Sequence, residues 1–199
     1  MLPSGNQSPK YILNEYLRKH IMVGNSLDLF IQEMKDSWGP LSSEVVARSQ
    51  AHLETLANAS PDEAWLSSLH KNASPYVELY RDPVCGFILL AHTETIDLYR
   101  PPHDHGRSWV IYVVQSGEIE MRGYARIEDQ DGRVQLIKRN STIVKPGQAM
   151  VYLPGDIHDT RCISETALLF RFTERDLKKE DKEEGKVTRF VEREGIWTV

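Results

Sequence analysis

A chain of 199 residues, 40% hydrophobic and 27% charged, has the composition of a globular protein and suits one domain with an appendage. Its net charge of -5 gives no basic footprint for nucleic acid or an anionic membrane, and no stretch approaches the roughly 18 to 20 apolar residues of a membrane span. Cys85 and Cys162 are too few for a disulfide framework and lack CxxC spacing, and residues 1–11 lack the charged start and apolar run of a secretory leader, so a cytoplasmic location is expected.

Residues 1–75 read as a helical segment packed on the β-rich remainder of the chain. Apolar residues recur three and four apart at Tyr11, Ile12, Tyr16 and Leu17, and again at Leu27, Phe30, Ile31 and Met34. Ser26-Leu27-Asp28 after Gly24-Asn25 resembles a helix start, and Trp38-Gly39-Pro40 a stop. A third helix opens at Ser42-Ser43-Glu44, and a fourth at Ser60-Pro61-Asp62-Glu63, where proline suits a first turn.

From residue 76 the pattern shortens. Phe87–His92, Ser108–Gln115, Glu118–Ile127, Val134–Lys138, Ala149–Leu153 and Ala167–Thr173 read as strands, with turns at Ser116-Gly117, Asp131-Gly132, Pro146-Gly147 and Pro154-Gly155. Many closely spaced short strands predict a sandwich or barrel over residues 76–175. Residues 176–199, the charged C-terminal tail, carry the run Lys178-Lys179-Glu180-Asp181-Lys182-Glu183-Glu184 and read as a solvated helix or tail with mixed charges, against the alternative of a partner-binding element.

Two of the histidines, His103 and His105, lie in Pro101-Pro102-His103-Asp104-His105-Gly106, two positions apart ahead of an apolar strand. In extended backbone, residues two apart face the same way, so both imidazoles can point into one cavity. His158 follows the turn Leu153-Pro154-Gly155-Asp156-Ile157. Three neutral imidazoles suit a divalent metal with open positions. An HxH pair alone is also what an ordinary strand can carry; His92 reads as a satisfied strand residue.

The stretch from His103 to Gly117 resembles the first signature of the cupin superfamily: HxH, three or four residues, a glutamate, six residues and a glycine. Gly147 through Pro154-Gly155-Asp156-Ile157-His158 resembles the second, with Pro154 displaced by one position. Two positions depart from the pattern. Val110 stands where the glutamate ligand is usual, and Asp97 replaces a glycine. Three histidines without the carboxylate resemble the cysteine dioxygenase-like branch, the thiol dioxygenases. Asp62-Glu63-Ala64-Trp65-Leu66, Tyr76 to Pro83 and Gly86 to Leu90 are similar to that branch too.

That resemblance implies an all-β core, the cupin double-stranded β-helix (jelly roll), behind an N-terminal helical segment. It implies a non-haem Fe(II) site at His103, His105 and His158, with Zn, Ni or Mn as other divalent occupants in purified protein. The partners implied are O₂ and a small-molecule substrate, most simply a thiol oxidised to a sulfinate; no nucleic acid or membrane partner is implied, and a homodimer stays open. An arginine would hold the substrate carboxylate, because a planar guanidinium pairs with it through two bonds. Arg81 is the first candidate, from the segment similar to the arginine-bearing one, against the alternative of a surface arginine. Arg171 is the second: Leu169, Arg171 and Thr173 stand where the family's Ser-His-Tyr relay is expected, and the alternative is a strand with its polar side in solvent. Asp104 is a candidate partner for an imidazole N–H, and Trp109, Tyr99 and Tyr112 either shape the pocket or belong to the core. C–C cleavage of a diketone-like substrate at the same three histidines, and a metal- or ligand-binding cupin without turnover, remain the rival functions.

Overall fold

The computed structural model describes residues 24–193 and 196–198. The apolar pattern at Tyr11 to Leu17 lies outside the described residues. Among those described, no helix is long and apolar enough to cross a membrane.

Among the described residues three helices precede the strands: α1 (Ser26–Ser37), α2 (Ser43–Ala57) and α3 (Ala64–Asn72). Their starts follow from capping. The Asn25 side chain accepts from the Asp28 N–H at 3.0 Å, and the Ser42 hydroxyl accepts from the Val45 N–H at 3.2 Å. Each helix turns an apolar face to the strands: Phe30 and Met34 from α1, Leu53 and Leu56 from α2, Leu66 and Leu69 from α3. Burying a side chain of this size contributes roughly 1.5–3 kcal/mol, which supplies what these short helices lack alone.

Nine strands come next: β1 (Val77–Arg81), β2 (Ile88–Thr95), β3 (Tyr99–His103), β4 (Val110–Ser116), β5 (Ile119–Glu128), β6 (Val134–Val144), β7 (Ala149–Tyr152), β8 (Ile157–Cys162) and β9 (Thr166–Thr173). After them come a short helix α4 (Leu177–Lys182) and strands β10 (Val191–Arg193) and β11 (Ile196–Thr198). The strands form two antiparallel sheets, ordered β1-β2-β9-β4-β7 and β10-β11-β6-β5-β8-β3. Strands distant in sequence are neighbours within each sheet, β2 with β9 in the first and β3 with β8 in the second, as in a jelly roll. The β4–β5 turn depends on Gly117: φ is 77°, and an added Cβ would lie 2.3 Å from the Thr166 carbonyl oxygen.

Alternation along the first sheet divides its two faces. On β9, Leu168, Phe170 and Phe172 pack with the helices, whereas Leu169 belongs to the inner cluster of Val110, Tyr112, Val114, Ile119, Met121 and Tyr152. Arg171 shares the inner face with Leu169, opposite Tyr112 and Leu90. Arg171 therefore faces the barrel interior.

The structure corrects the expectation of a solvated tail over residues 176–199. Glu180 and Phe190 are buried, and β11 joins the second sheet where Trp197 pairs with Val134. The charge run hides two features. Glu180 accepts from the Arg107 Nη2 at 2.8 Å, and the Phe190 N–H donates to the Pro102 carbonyl at 2.9 Å. Phe190 packs with Leu136 and Ile157, and Trp197 packs against that cluster; within the charge run Glu180 is buried while its neighbours are half-buried or exposed.

Candidate metal centre

The two strands β3 and β8 pair so that His103 stands directly opposite His158. His105 lies two residues past the end of β3, where Asp104 turns the chain: its Oδ1 accepts from the Gly106 N–H at 3.0 Å and the Thr188 N–H at 2.8 Å. Asp104 thus holds the loop and the docked C-terminal segment, and touches no imidazole in these bonds. One ligand-capable atom from each of His103, His105 and His158 lies within 4.8 Å of the others, the arrangement expected from the sequence.

The donor chemistry fits a divalent ion. His103 donates from Nδ1 to the Pro101 carbonyl at 2.8 Å, which leaves the Nε2 lone pair free. Nε2 of His105 and Nε2 of His158 face each other at 3.3 Å. Two nitrogens about 2.0–2.1 Å from one ion at a tetrahedral angle are separated by about 3.3 Å, so the pair already has ligand spacing. Nδ1 of His105 and of His158 is buried without a partner. Burial holds all three imidazoles below their ordinary pKa; neighbouring imidazoles, for His105 and His158, and the Arg171 charge push the same way. They are neutral at neutral pH, the form in which an imidazole can bind a metal.

The cluster sits against a cavity of about 440 Å³, within the range of small-molecule sites. His103 and His105 line it together with Tyr112, Arg171, His92 and Glu94. The Tyr112 hydroxyl lies 3.3 Å from His105 Nε2, and Tyr152 stacks on His158 with ring centroids 3.7 Å apart. Burial raises the Tyr112 pKa, against the charge of Arg171 and a hydrogen bond from it. Val110 is fully buried in the inner cluster beside Tyr152, and it offers no donor.

The two candidate arginines part company. Arg81 lies outside this cavity: Nε and Nη2 are bound to the Glu78 carboxylate at 2.9 and 2.8 Å, and Nη1 to Asp176 at 2.6 Å. Both carboxylates raise its pKa further, Glu78 most. Arg171 lines the cavity, has a buried Nε without a hydrogen-bond partner, and enters no ion pair among the described residues.

Sequence reasoning missed the opposite wall. His92, expected to be a satisfied strand residue, lines the cavity with Nε2 unpartnered, and Glu94 two residues on does the same with Oε2. Glu94 Oε1 accepts from Arg100 Nε at 2.8 Å, bridging the sheets. The alternation of β2, Leu89 and Ala91 toward the helices, carries the signal for both. Of the expected pocket shapers, Tyr99 and Tyr112 line the cavity, whereas Trp109 packs in the helix-facing core against Phe172.

No protein-family model matches the chain, and no curated protein matches it. Solved structures do. The cupin domain of Schizosaccharomyces pombe Cnp3 aligns at 14% identity and a TM-score of 0.40, over 55% of this chain and 69% of that one. Oxalate oxidase in complex with the substrate analogue glycolate aligns at 21% identity and a TM-score of 0.37, over 45% of this chain and 42% of that one. Peruvianin-I, a cysteine peptidase from Thevetia peruviana latex, aligns at 18% identity and a TM-score of 0.36, over 45% of this chain; the match spans about half (51%) of its length. The fold assignment rests on the strand order. The fold is a two-sheet, jelly-roll-type β-barrel with a three-histidine cluster, a candidate site for a divalent metal.

Proposed function

We propose that this protein is an iron(II)-dependent dioxygenase of a small carboxylate-bearing substrate, with a thiol oxidised to a sulfinate as the leading reaction. The observation that carries the reading is the pairing, on one cavity, of the three-histidine cluster with an arginine that has no carboxylate partner. A buried guanidinium is costly unless paired, and a substrate carboxylate would complete it. Its cross-strand neighbour Tyr112 touches His105, so the anion would be bound beside the cluster.

His103, His105 and His158 would hold the ion. Bound there, iron(II) supplies the activation of O₂ and of the thiol. The chain's own residues do the rest. Arg171 fixes the carboxylate end and so limits where the sulfur can lie. Tyr112, buried with its hydroxyl 3.3 Å from His105 Nε2, can hold a proton at the phenolic oxygen next to the cluster. Val110, Leu169 and Tyr152 keep that end of the barrel apolar. Both oxygen atoms of O₂ end on sulfur, the sulfur supplies the electrons, and no external reductant is consumed.

The test is metal analysis of protein purified without chelator, then O₂ uptake by iron-loaded protein against a panel of thiol acids, with sulfinate measured in the product. Uptake matched by sulfinate supports the reading. Uptake on a diketone panel alone would move the function to C–C cleavage. A metal-loaded protein inert to both panels would make it a binding protein.

A further inference from the structure

Outside the histidine cluster, four buried polar atoms of residues lining the cavity have no hydrogen-bond partner among the described residues: Nε2 of His92, Oε2 of Glu94, Oγ1 of Thr160 and Nε of Arg171. A buried polar group left unpaired is costly, so these four mark places where a bound ligand would complete them. Their donor and acceptor roles restrict what that ligand is. Arg171 Nε–H only donates. Glu94 Oε2 accepts, while its other oxygen is held by Arg100. His92 is hydrogen-bonded to the Pro75 carbonyl, which can only accept; the remaining nitrogen, Nε2, is therefore a bare acceptor. Burial keeps this imidazole neutral, with a pKa of about 3.

These groups form a series along one wall. Arg171 stands opposite Leu90 on β2, and His92 and Glu94 lie further along the same face. From the Leu90 rung to Glu94 is four residues, about 13 Å of strand. Thr160 is the direct cross-strand neighbour of Arg100, which grips Glu94. The donor therefore sits at the metal end, with His92 midway and Glu94 at the far end of the series. An α-amino acid, whose ammonium and carboxylate share one carbon, holds its two charges closer together than this backbone separation.

We propose that Glu94 and His92 form a subsite for a protonated nitrogen, so that the cavity takes an extended ω-amino acid type of ligand. Its carboxylate end lies on Arg171, which rests on the carboxylate-anchor role proposed for that residue, and its ammonium, several bonds away, donates to Glu94 Oε2 and His92 Nε2. Arg100 positions the carboxylate of Glu94. Thr160 supplies a hydroxyl beside it.

The test is calorimetric binding to the metal-free full chain with three probes: 5-aminopentanoate, pentanoate and pentylamine. None carries a thiol, so the outcome is independent of catalysis. Wild-type protein is expected to bind 5-aminopentanoate about tenfold more tightly than pentanoate. Glu94→Gln, whose amide oxygen still accepts from Arg100, is expected to remove most of that advantage and leave pentanoate unchanged. His92→Leu, which keeps the Glu94–Arg100 pair, is expected to narrow it as well. Equal affinity for the two acids in wild-type protein, or an advantage that survives Glu94→Gln, would overturn the subsite. So would failure of both amine probes to bind. Glu94-dependent binding of pentylamine without binding of either acid would uphold the ammonium subsite and remove Arg171 as anchor. The thiol assay reports separately on the reaction.

Discussion

Nε2 of His105 and Nε2 of His158 face each other at 3.3 Å inside the barrel, although 53 residues separate them in the chain. Burial keeps both rings neutral at neutral pH, so the pair can serve as two ligands of one ion. Replacing His103, His105 or His158 by alanine is expected to weaken metal binding by at least about a hundredfold, because three ligands act as a unit. Metal content of purified variants checks this, with circular dichroism to confirm the fold. Full occupancy in any one variant would remove that residue from the ligand set.

Asp82 gives a pH-dependent prediction away from the metal. Burial alone would raise its carboxyl, but the amides of Cys85 and Val84 and the Tyr80 hydroxyl outweigh burial and hold it at about 2, against 3.8 for the free group. Lys35 of α1 reaches the same carboxylate at 3.5 Å. A depressed pKa stabilises the fold at every pH above 3.8 and loses that contribution as pH falls from 3.8 through about 2. Asp82→Asn is expected to cost up to about 2 kcal/mol at pH 7. In urea titrations the gap between variant and wild type should shrink as pH falls below 4. A gap constant from pH 7 to 2.5 would mean that the charge on Asp82 contributes nothing.

The parts legible in the sequence are those that local rules govern. Asn25 and Ser42 signal their helices because a cap is decided by the residue itself. The glycine turns at 117, 132, 147 and 155 all have positive φ, as such turns require. The histidine set was legible because HxH spacing and the later turn survive without knowledge of pairing. What failed depends on pairing. β1 and β3 have no clear alternation, and β3 contains two prolines, so only their neighbours β2 and β8 define them as strands. Arg81 matched a family-like segment, but it pairs with Glu78 and also with Asp176, 95 residues away in sequence, outside the cavity. Along 176–199 the dense charge obscured Phe190, which is buried by contact with Leu136 and Ile157.

Phe190 tests whether that last segment belongs to the fold. It is 1% exposed, packs with Leu136 and Ile157, and also lines the cavity. Phe190→Ala is expected to cost about 3–5 kcal/mol, as for other buried aromatic truncations. A residue on a solvated tail would cost under about 0.5 kcal/mol. Chemical denaturation of the full chain separates the two. A value near zero would return residues 187–191 to the surface.

Arg171 and Arg81 carry the same charge, but Arg81 is spent on Glu78 and Asp176, whereas Arg171 faces the cavity with Nε unpaired. The substrate's acid group should therefore tell them apart. Lysine keeps the charge and loses the planar fork, so it separates geometry from electrostatics. With metal content held equal, Arg171→Lys is expected to lower kcat/KM for an active thiol acid by about a hundredfold or more. Arg81→Lys is expected to leave kcat/KM within about threefold and to act on stability instead, because an exposed ion pair contributes about 1 kcal/mol or less. The loss in Arg171→Lys should vanish for a substrate lacking the carboxylate, which wild-type protein would then also turn over poorly. If Arg171→Lys retains wild-type kcat/KM on the acid, the guanidinium does not hold it. If Arg81→Lys loses as much as Arg171→Lys, the anchor acts through the β1 segment, and the cavity wall around Arg171 serves another group.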